Sequence, residues 1–201
     1  MREEEEPFMK QHQLHRPSGC AIIGVLVVVS VLGGLSWAYS RIRPTLTDAA
    51  PSATRWPLAS FSENDVRVEI SLEKDAAEQY WLVGTFTPLR AHFHLYSKDL
   101  PKSGVLGQGR PTLLEIVNSD AIRSIGPLMA DRTTVEHYSQ VIEQSLLVYP
   151  EGPVNLRMRV ALTEGSARQA SELSVTYMAC SDELCLTPVI GKHISVSLPG
   201  L

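Results

Sequence analysis

Over the C-terminal two thirds of the chain, hydrophobic residues recur at every second position. Val66, Val68, Ile70 and Leu72 alternate with polar neighbours, the period of a strand with one buried face. Tyr80–Phe86, Ala91–Tyr96, Thr112–Val117 and Ser145–Tyr149 read as further strands, and Val154, Leu156, Met158, Val160 and Leu162 mark the most regular one. Two more alternating runs, Leu173–Tyr177 and Ile194–Leu198, flank a pair of cysteines. About eight short strands separated by Gly, Pro, Asp and Ser turns predict an all-β antiparallel sandwich over residues 58–201. Residues 131–144 lack the alternation and are read as a loop or a short helical turn.

The N-terminal part follows other patterns. Residues 1–19 open on the acidic run Glu3–Glu6 and stay polar, which predicts a disordered tail because nothing there can bury apolar surface. Residues 20–39, Cys20 to Tyr39, form an uncharged apolar stretch of twenty, long enough as a helix to span a bilayer core. Trp37 and Tyr39 sit at its far end, where aromatic rings suit the interface. The apolar core of a cleaved leader usually runs about 7–15 residues, so the stretch is read as a single-pass transmembrane anchor. Pro44, Pro51 and Pro57 among Ser, Thr and Ala make residues 40–57 a Pro-rich linker. Lys and Arg are balanced about the anchor, with Arg2, Lys10 and Arg16 before it and Arg41, Arg43 and Arg55 after it. Charge therefore does not orient it. The cysteine pair favours a C-terminal domain facing an oxidising compartment.

Composition narrows the function. The 201 residues are 44% hydrophobic and 20% charged with a net charge of −4. Their basic residues are scattered, whereas nucleic-acid binding needs clustered Lys and Arg to neutralise phosphates; no nucleic-acid partner is expected. No Gly-x-Ser-x-Gly elbow, Walker loop or His-Glu-x-x-His motif occurs, and no cofactor is expected. His92 and His94, spaced i and i+2 on the strand expected at Ala91–Tyr96, would share one face. With Met178 and the cysteines they could be imagined as a soft-metal site, but two histidines on a strand are more often polar-face residues, and no metal is expected. The segment Asp99–Pro111, with three glycines and two prolines, excludes a helix or strand. It reads equally as a functional loop or as a plain connection between sheets.

Of the three cysteines, Cys20 opens the apolar stretch, which leaves Cys180 and Cys185 to pair. They lie in Tyr177-Met-Ala-Cys-Ser-Asp-Glu-Leu-Cys-Leu-Thr-Pro188, with four residues between them. Two opposing strand residues across so short a loop stand roughly 4.5–5.5 Å apart at Cα, within disulfide range. The ring is small, so as a staple it would remove little loop entropy. Asp182 and Glu183 lie inside the loop and no Lys, Arg or His lies between the cysteines, so a thiolate there is disfavoured, unlike one at a helix N-terminus. These features leave a structural staple and a redox pair almost evenly matched.

The segment Tyr177–Val189 resembles the Tyr-Gln-x-Cys…Cys-x-Pro-Pro segment of the N-terminal periplasmic domain of the bacterial thiol:disulfide interchange protein DsbD. Phe93-His-Leu-Tyr-Ser-Lys-Asp-Leu-Pro101 and Gly109-Arg-Pro-Thr-Leu-Leu-Glu115 resemble other segments of that family. The resemblance covers roughly residues 60–199 and implies an immunoglobulin-like sandwich. It further implies that Cys180 and Cys185 are the catalytic pair of a thiol–disulfide oxidoreductase. Such a pair takes electrons from a thioredoxin-like or polytopic membrane donor and passes them to extracytoplasmic disulfide-containing proteins or toward cytochrome c maturation. With the anchor read from residues 20–39, the resemblance implies a bacterial inner membrane with the C-terminal domain facing the periplasm or exterior; the single anchor is a departure from the family. Met178 stands where the family has Gln, Thr187 where it has the first Pro, and the cysteine spacing is one residue shorter than in its best-known members. The contrasting expectation is a non-catalytic immunoglobulin-like ectodomain that binds a partner and keeps the disulfide for structure alone.

Overall fold

The computed structural model describes residues 54–200 apart from 141, 166 and 167. The expected tail, anchor and Cys20 lie outside the described residues, as does the linker up to residue 53. The described part is all-β and antiparallel. In chain order the strands are β1 (Thr54–Glu63), β2 (Val66–Lys74), β3 (Tyr80–Pro88), β4 (His94–Leu95), β5 (Leu113–Asn118), β6 (Ile122–Ser124) and β7 (Met129–Ala130). There follow β8 (Val135–Ser139), β9 (Gln144–Val148), β10 (Val154–Leu162), β11 (Ala170–Tyr177), β12 (Ala179–Cys180) and β13 (Val189–Ser197). Among the described residues no helix is long and apolar enough to cross a membrane.

Two sheets face each other. One runs β1-β2-β3-β10-β6, with β7 also on β10; the other runs β13-β11-β5. Their inward residues form a single apolar cluster. Val66, Val68, Ile70, Leu72, Leu82, Phe86, Leu156 and Val160 come from the first sheet, Leu114, Leu173, Val175, Tyr177 and Val196 from the second. This is the antiparallel sandwich expected from the alternation, which works because a strand with one face on the core exposes every other side chain. Between the sheets, Phe86 meets Tyr177 edge-on at 5.8 Å, a favoured aromatic geometry. The Tyr177 hydroxyl donates to the Glu63 carbonyl at 3.1 Å, so the buried ring also has its polar end satisfied.

Three segments differ from the sequence reading. β1 begins at Thr54, inside the stretch read as linker. Its register shifts between Pro57 and Ala59, which breaks the alternation, and its place at the sheet edge tolerates a proline that a central strand would not. Asn64 and Asp65, both at positive φ (49° and 54°), make the two-residue turn that joins it to β2. β8 replaces the loop or helical turn expected within 131–144 and pairs with β9. Every residue of β8 is exposed or only partly buried, so no one-sided burial printed a period on the sequence. Third, the strand expected over Ala91–Tyr96 shrinks to His94–Leu95. His92 instead takes a positive φ of 63°, its side chain exposed and its ring Nδ1 3.0 Å from Glu151. His92 and His94 therefore do not share one strand face.

Candidate functional site

The cysteine segment extends the β11–β13 hairpin beyond the sandwich. Between Val175 and Tyr177 the register shifts. Gly191 takes up the extra residue on β13 at a φ of 59° and donates its N–H to Thr176 Oγ1 at 3.0 Å, a bulge that bends the strand pair. Beyond it the hairpin resumes: Leu186 N–H donates to the Ala179 carbonyl at 3.0 Å and Ser181 N–H to the Leu184 carbonyl at 2.8 Å. Cys180 and Cys185 lie between those two bonds as an opposed pair, the non-hydrogen-bonded position at which antiparallel strands approach most closely. Their Cα atoms are 4.1 Å apart and the sulfurs are bonded. The separation is a little shorter than the range expected from a generic hairpin, and the close position in the ladder accounts for it. Asp182 and Glu183 occupy the tip, where the Ser181 hydroxyl accepts from the Glu183 and Leu184 N–H groups at 3.3 and 3.1 Å.

The two sulfurs have unequal surroundings. Cys180 is 1% exposed, because β12 is covered on its other side by β4, with Ala179 opposite Leu95 and Cys180 opposite His94. It belongs to a small second cluster with Tyr96, Leu146, Val148 and Met178. Cys185 is exposed and its Sγ lies 4.0 Å from the Tyr96 hydroxyl. Burial raises the Tyr96 pKa, which keeps that hydroxyl protonated and able to donate. Cys185 opens onto a cavity of about 660 Å³ lined by Tyr96 and Gln108, by His137–Gln140 at the end of β8, and by Ser181–Leu184. A smaller cavity of about 370 Å³ at the β1 bulge is lined by neither cysteine nor histidine.

The Asp99–Pro111 loop packs beside this site. Its ends are tied at Tyr96, whose carbonyl accepts from Thr112 N–H at 3.2 Å and from Thr112 Oγ1 at 2.7 Å. Leu100 and Val105 cover the small cluster and Gln108 reaches the cavity. Gly109, at a φ of 63°, lets the backbone close on the Tyr96 ring, where an added Cβ would come within 3.0 Å.

Histidines not foreseen together meet at the pair. His94, 7% exposed, has its ring 4.6 Å from that of His137 on β8 and 5.5 Å from that of Tyr96. Burial, then the nearby charge of His137, pushes the His94 pKa down to about 4, against the opposite pull of Asp182 and Glu151. His94 is neutral at ordinary pH, and its buried Nε2 has no hydrogen-bond partner. His137 Nε2 lies 3.7 Å from Asp182 Oδ1. The cysteine loop is thus less uniformly acidic than its own residues suggest, because a basic group arrives from another hairpin. Position 137 carried no sequence signal that distinguished it. Met178 lies in the small cluster as an apolar filler, and among the described residues no three of His, Cys, Asp and Glu are grouped to hold a metal ion.

No protein-family model matches this chain, and no curated protein matches it. Solved structures do. One is the DsbD N-terminal domain of Neisseria meningitidis in the reduced form, 15% identical over 59% of this chain and 78% of that one, with a TM-score of 0.40. Another is the N-terminal periplasmic domain of ScsB from Proteus mirabilis, 10% identical over 72% of this chain, with a TM-score of 0.44. This chain spans about half of that one, 51%. The GAE domain of GGA2p from Saccharomyces cerevisiae is 12% identical over 75% of this chain and all of that one, with a TM-score of 0.35. These three TM-scores lie below 0.5, and the fold class rests on the two sheets and their shared core.

Proposed function

We propose that the described domain is a thiol–disulfide exchange module whose reacting pair is Cys180 and Cys185. The observation that carries this reading is the asymmetry of the pair, one sulfur exposed at a cavity mouth and the other buried beneath it. A disulfide kept for structure alone has no need of that arrangement; thiol exchange does, since it proceeds by thiolate attack on one accessible sulfur. The resemblance of Tyr177–Val189 to the DsbD N-terminal segment supports the same reading.

In this proposal a partner thiolate attacks Cys185 Sγ, the sulfur–sulfur bond breaks, and its electron pair leaves on Cys180. A second partner thiolate then attacks the mixed disulfide at the partner's sulfur. It releases the partner as a disulfide and leaves both cysteines of this chain reduced. The run in reverse reduces a downstream disulfide. Tyr138 and Leu184, both about half exposed at 58% and 50%, offer the apolar rim on which a partner rests, and the Asp99–Pro111 loop shields the pair between encounters. The donor is a thioredoxin-like or polytopic membrane protein and the acceptors are extracytoplasmic disulfide-containing proteins. Residues 20–39 anchor the chain in a bacterial inner membrane with the domain on the outer side.

Trapping tests the core of this reading. Cys180→Ser leaves Cys185 as the attacking thiol and accumulates a mixed disulfide with a thioredoxin-like protein, whereas Cys185→Ser leaves a buried thiol and accumulates far less. A reduction potential of the pair below about −300 mV, with no exchange, would mark a structural disulfide and overturn the proposal.

A further inference from the structure

Opening the disulfide creates a problem at Cys180 that the oxidised structure does not show. The leaving sulfur acquires a full negative charge while 1% exposed, packed among Tyr96, Leu146, Val148 and Met178. Little water reaches it there, and buried charge is costly unless hydrogen-bonded. Asp182 and Glu183 at the hairpin tip oppose it further. The Tyr96 hydroxyl is placed by Cys185, not by Cys180. Some other donor must serve the buried sulfur.

His94 fits that need. It stands directly opposite Cys180 in the β4–β12 ladder, and opposed residues of antiparallel strands project on the same face with Cβ atoms about 4.5–5.5 Å apart. The contact of the His94 ring with Tyr96 and the membership of Tyr96 in the cluster of Cys180 confirm a common face. In the oxidised chain the buried His94 Nε2 has no partner, and an unmade hydrogen bond at a buried polar atom is unfavourable. A disulfide sulfur is a poor partner; a thiolate accepts a hydrogen bond and a thiol donates one. Neutral imidazole can answer both, as N–H in one tautomer and as a bare nitrogen in the other.

We propose that His94 is a positioning residue for exchange, supplying the hydrogen-bond partner of Cys180 when the Cys180–Cys185 bond opens. The inference rests on the exchange reading given above. The incoming thiolate bonds to Cys185 Sγ, the broken bond's electron pair goes to Cys180 Sγ, and His94 N–H donates to that sulfur. When solvent later protonates it, the thiol donates back to the imidazole. No oxidant or reductant beyond the partner thiol is needed. The groups facing His94 are the His137 ring from β8, Asp182 from the cysteine loop, Glu151 from the turn before β10 and Tyr96 beyond β4. Burial, then His137, holds the imidazole neutral against the pull of the two carboxylates.

Two readouts on the full chain test it. The first is the rate at which dithiothreitol opens the disulfide in the wild type, His94→Phe and His94→Gln. The second is the Cys180 thiol pKa in Cys185→Ser, with and without His94→Phe. His94→Phe should slow opening about tenfold, the effect of one hydrogen bond to a charged group. It should also raise the thiol pKa by about one unit, while His94→Gln, which keeps a donor, restores most of the rate. Opening of His94→Phe at the wild-type rate overturns the inference and leaves the exchange reading intact. Equal slowing in both variants with an unmoved thiol pKa also overturns it, since that marks mere disruption of the ladder. A wild-type chain whose disulfide resists the reagent altogether overturns both readings.

Discussion

Leu156 on β10 and Cys180 on β12 are both almost wholly buried, yet their surroundings follow different rules. Around Leu156 the strands are long, the ladders continuous across five strands, and the inward side chains apolar from both sheets. Around Cys180 the ladder to β4 is two residues long, the β8–β9 pair stands off the main sheets, and a buried imidazole lacks a partner. The first region obeys the requirement that buried polar groups be satisfied; the second departs from it beside the Cys180–Cys185 disulfide. Short ladders place a segment toward the low end of local stability. The sandwich is the continuous base, and under the exchange proposal the cysteine hairpin is the part that changes its bonding.

Substitutions can break that contrast. The largest effect is expected at Phe86, fully buried against Tyr177. Phe86→Ala should cost about 3–5 kcal/mol in denaturant unfolding, with the loss shared by both sheets. A cost below about 1 kcal/mol would show that the two sheets are not one cooperative core.

Acid should act on the other region. The His94 pKa is depressed to about 4 from 6.5, so the unfolded chain binds more protons than the folded one as pH falls. The neutral buried state is fully favourable above about pH 6.5, loses ground between 6.5 and 4, and reaches a constant deficit on the order of 3 kcal/mol below that. His94→Phe should flatten this part of the stability–pH profile. An unchanged slope in the variant would assign the acid sensitivity to other groups.

Reducing the disulfide is the mildest perturbation. The bridge spans a sequence separation of 5, a ring whose closure entropy is worth about 2 kcal/mol. Dithiothreitol should thus lower the unfolding midpoint by less than Phe86→Ala and leave the sandwich folded. Hydrogen exchange should quicken chiefly at Ala179–Leu186 and along β4. Global loss of protection on reduction would make the bridge a staple of the whole domain and erase the distinction between the two regions.

Much of the fold was legible because one-sided burial imposes its own period. Val66 to Leu72 and Val154 to Leu162 alternate since every second side chain meets the opposite sheet. The hairpin geometry of Tyr177–Pro188 followed from its short loop, and so did the cysteines' ability to pair. β1 and β8 were not legible, the one because a bulge and Pro57 interrupt its alternation at a sheet edge, the other because both its faces are largely open to solvent. His92 and His94 would share a face only on a strand that ran through both, and β4 begins at His94.

The sequence by itself determined a two-sheeted antiparallel domain and a cysteine pair able to close across a tight hairpin. These are local consequences of side-chain period and loop length. Only the tertiary structure decided which sulfur meets solvent, that His94 stands opposite the buried one, and that His137 reaches Asp182 from another hairpin. Cross-strand neighbours from distant segments are set by how the whole chain packs, and the spacing of residues along any one strand carries no record of them.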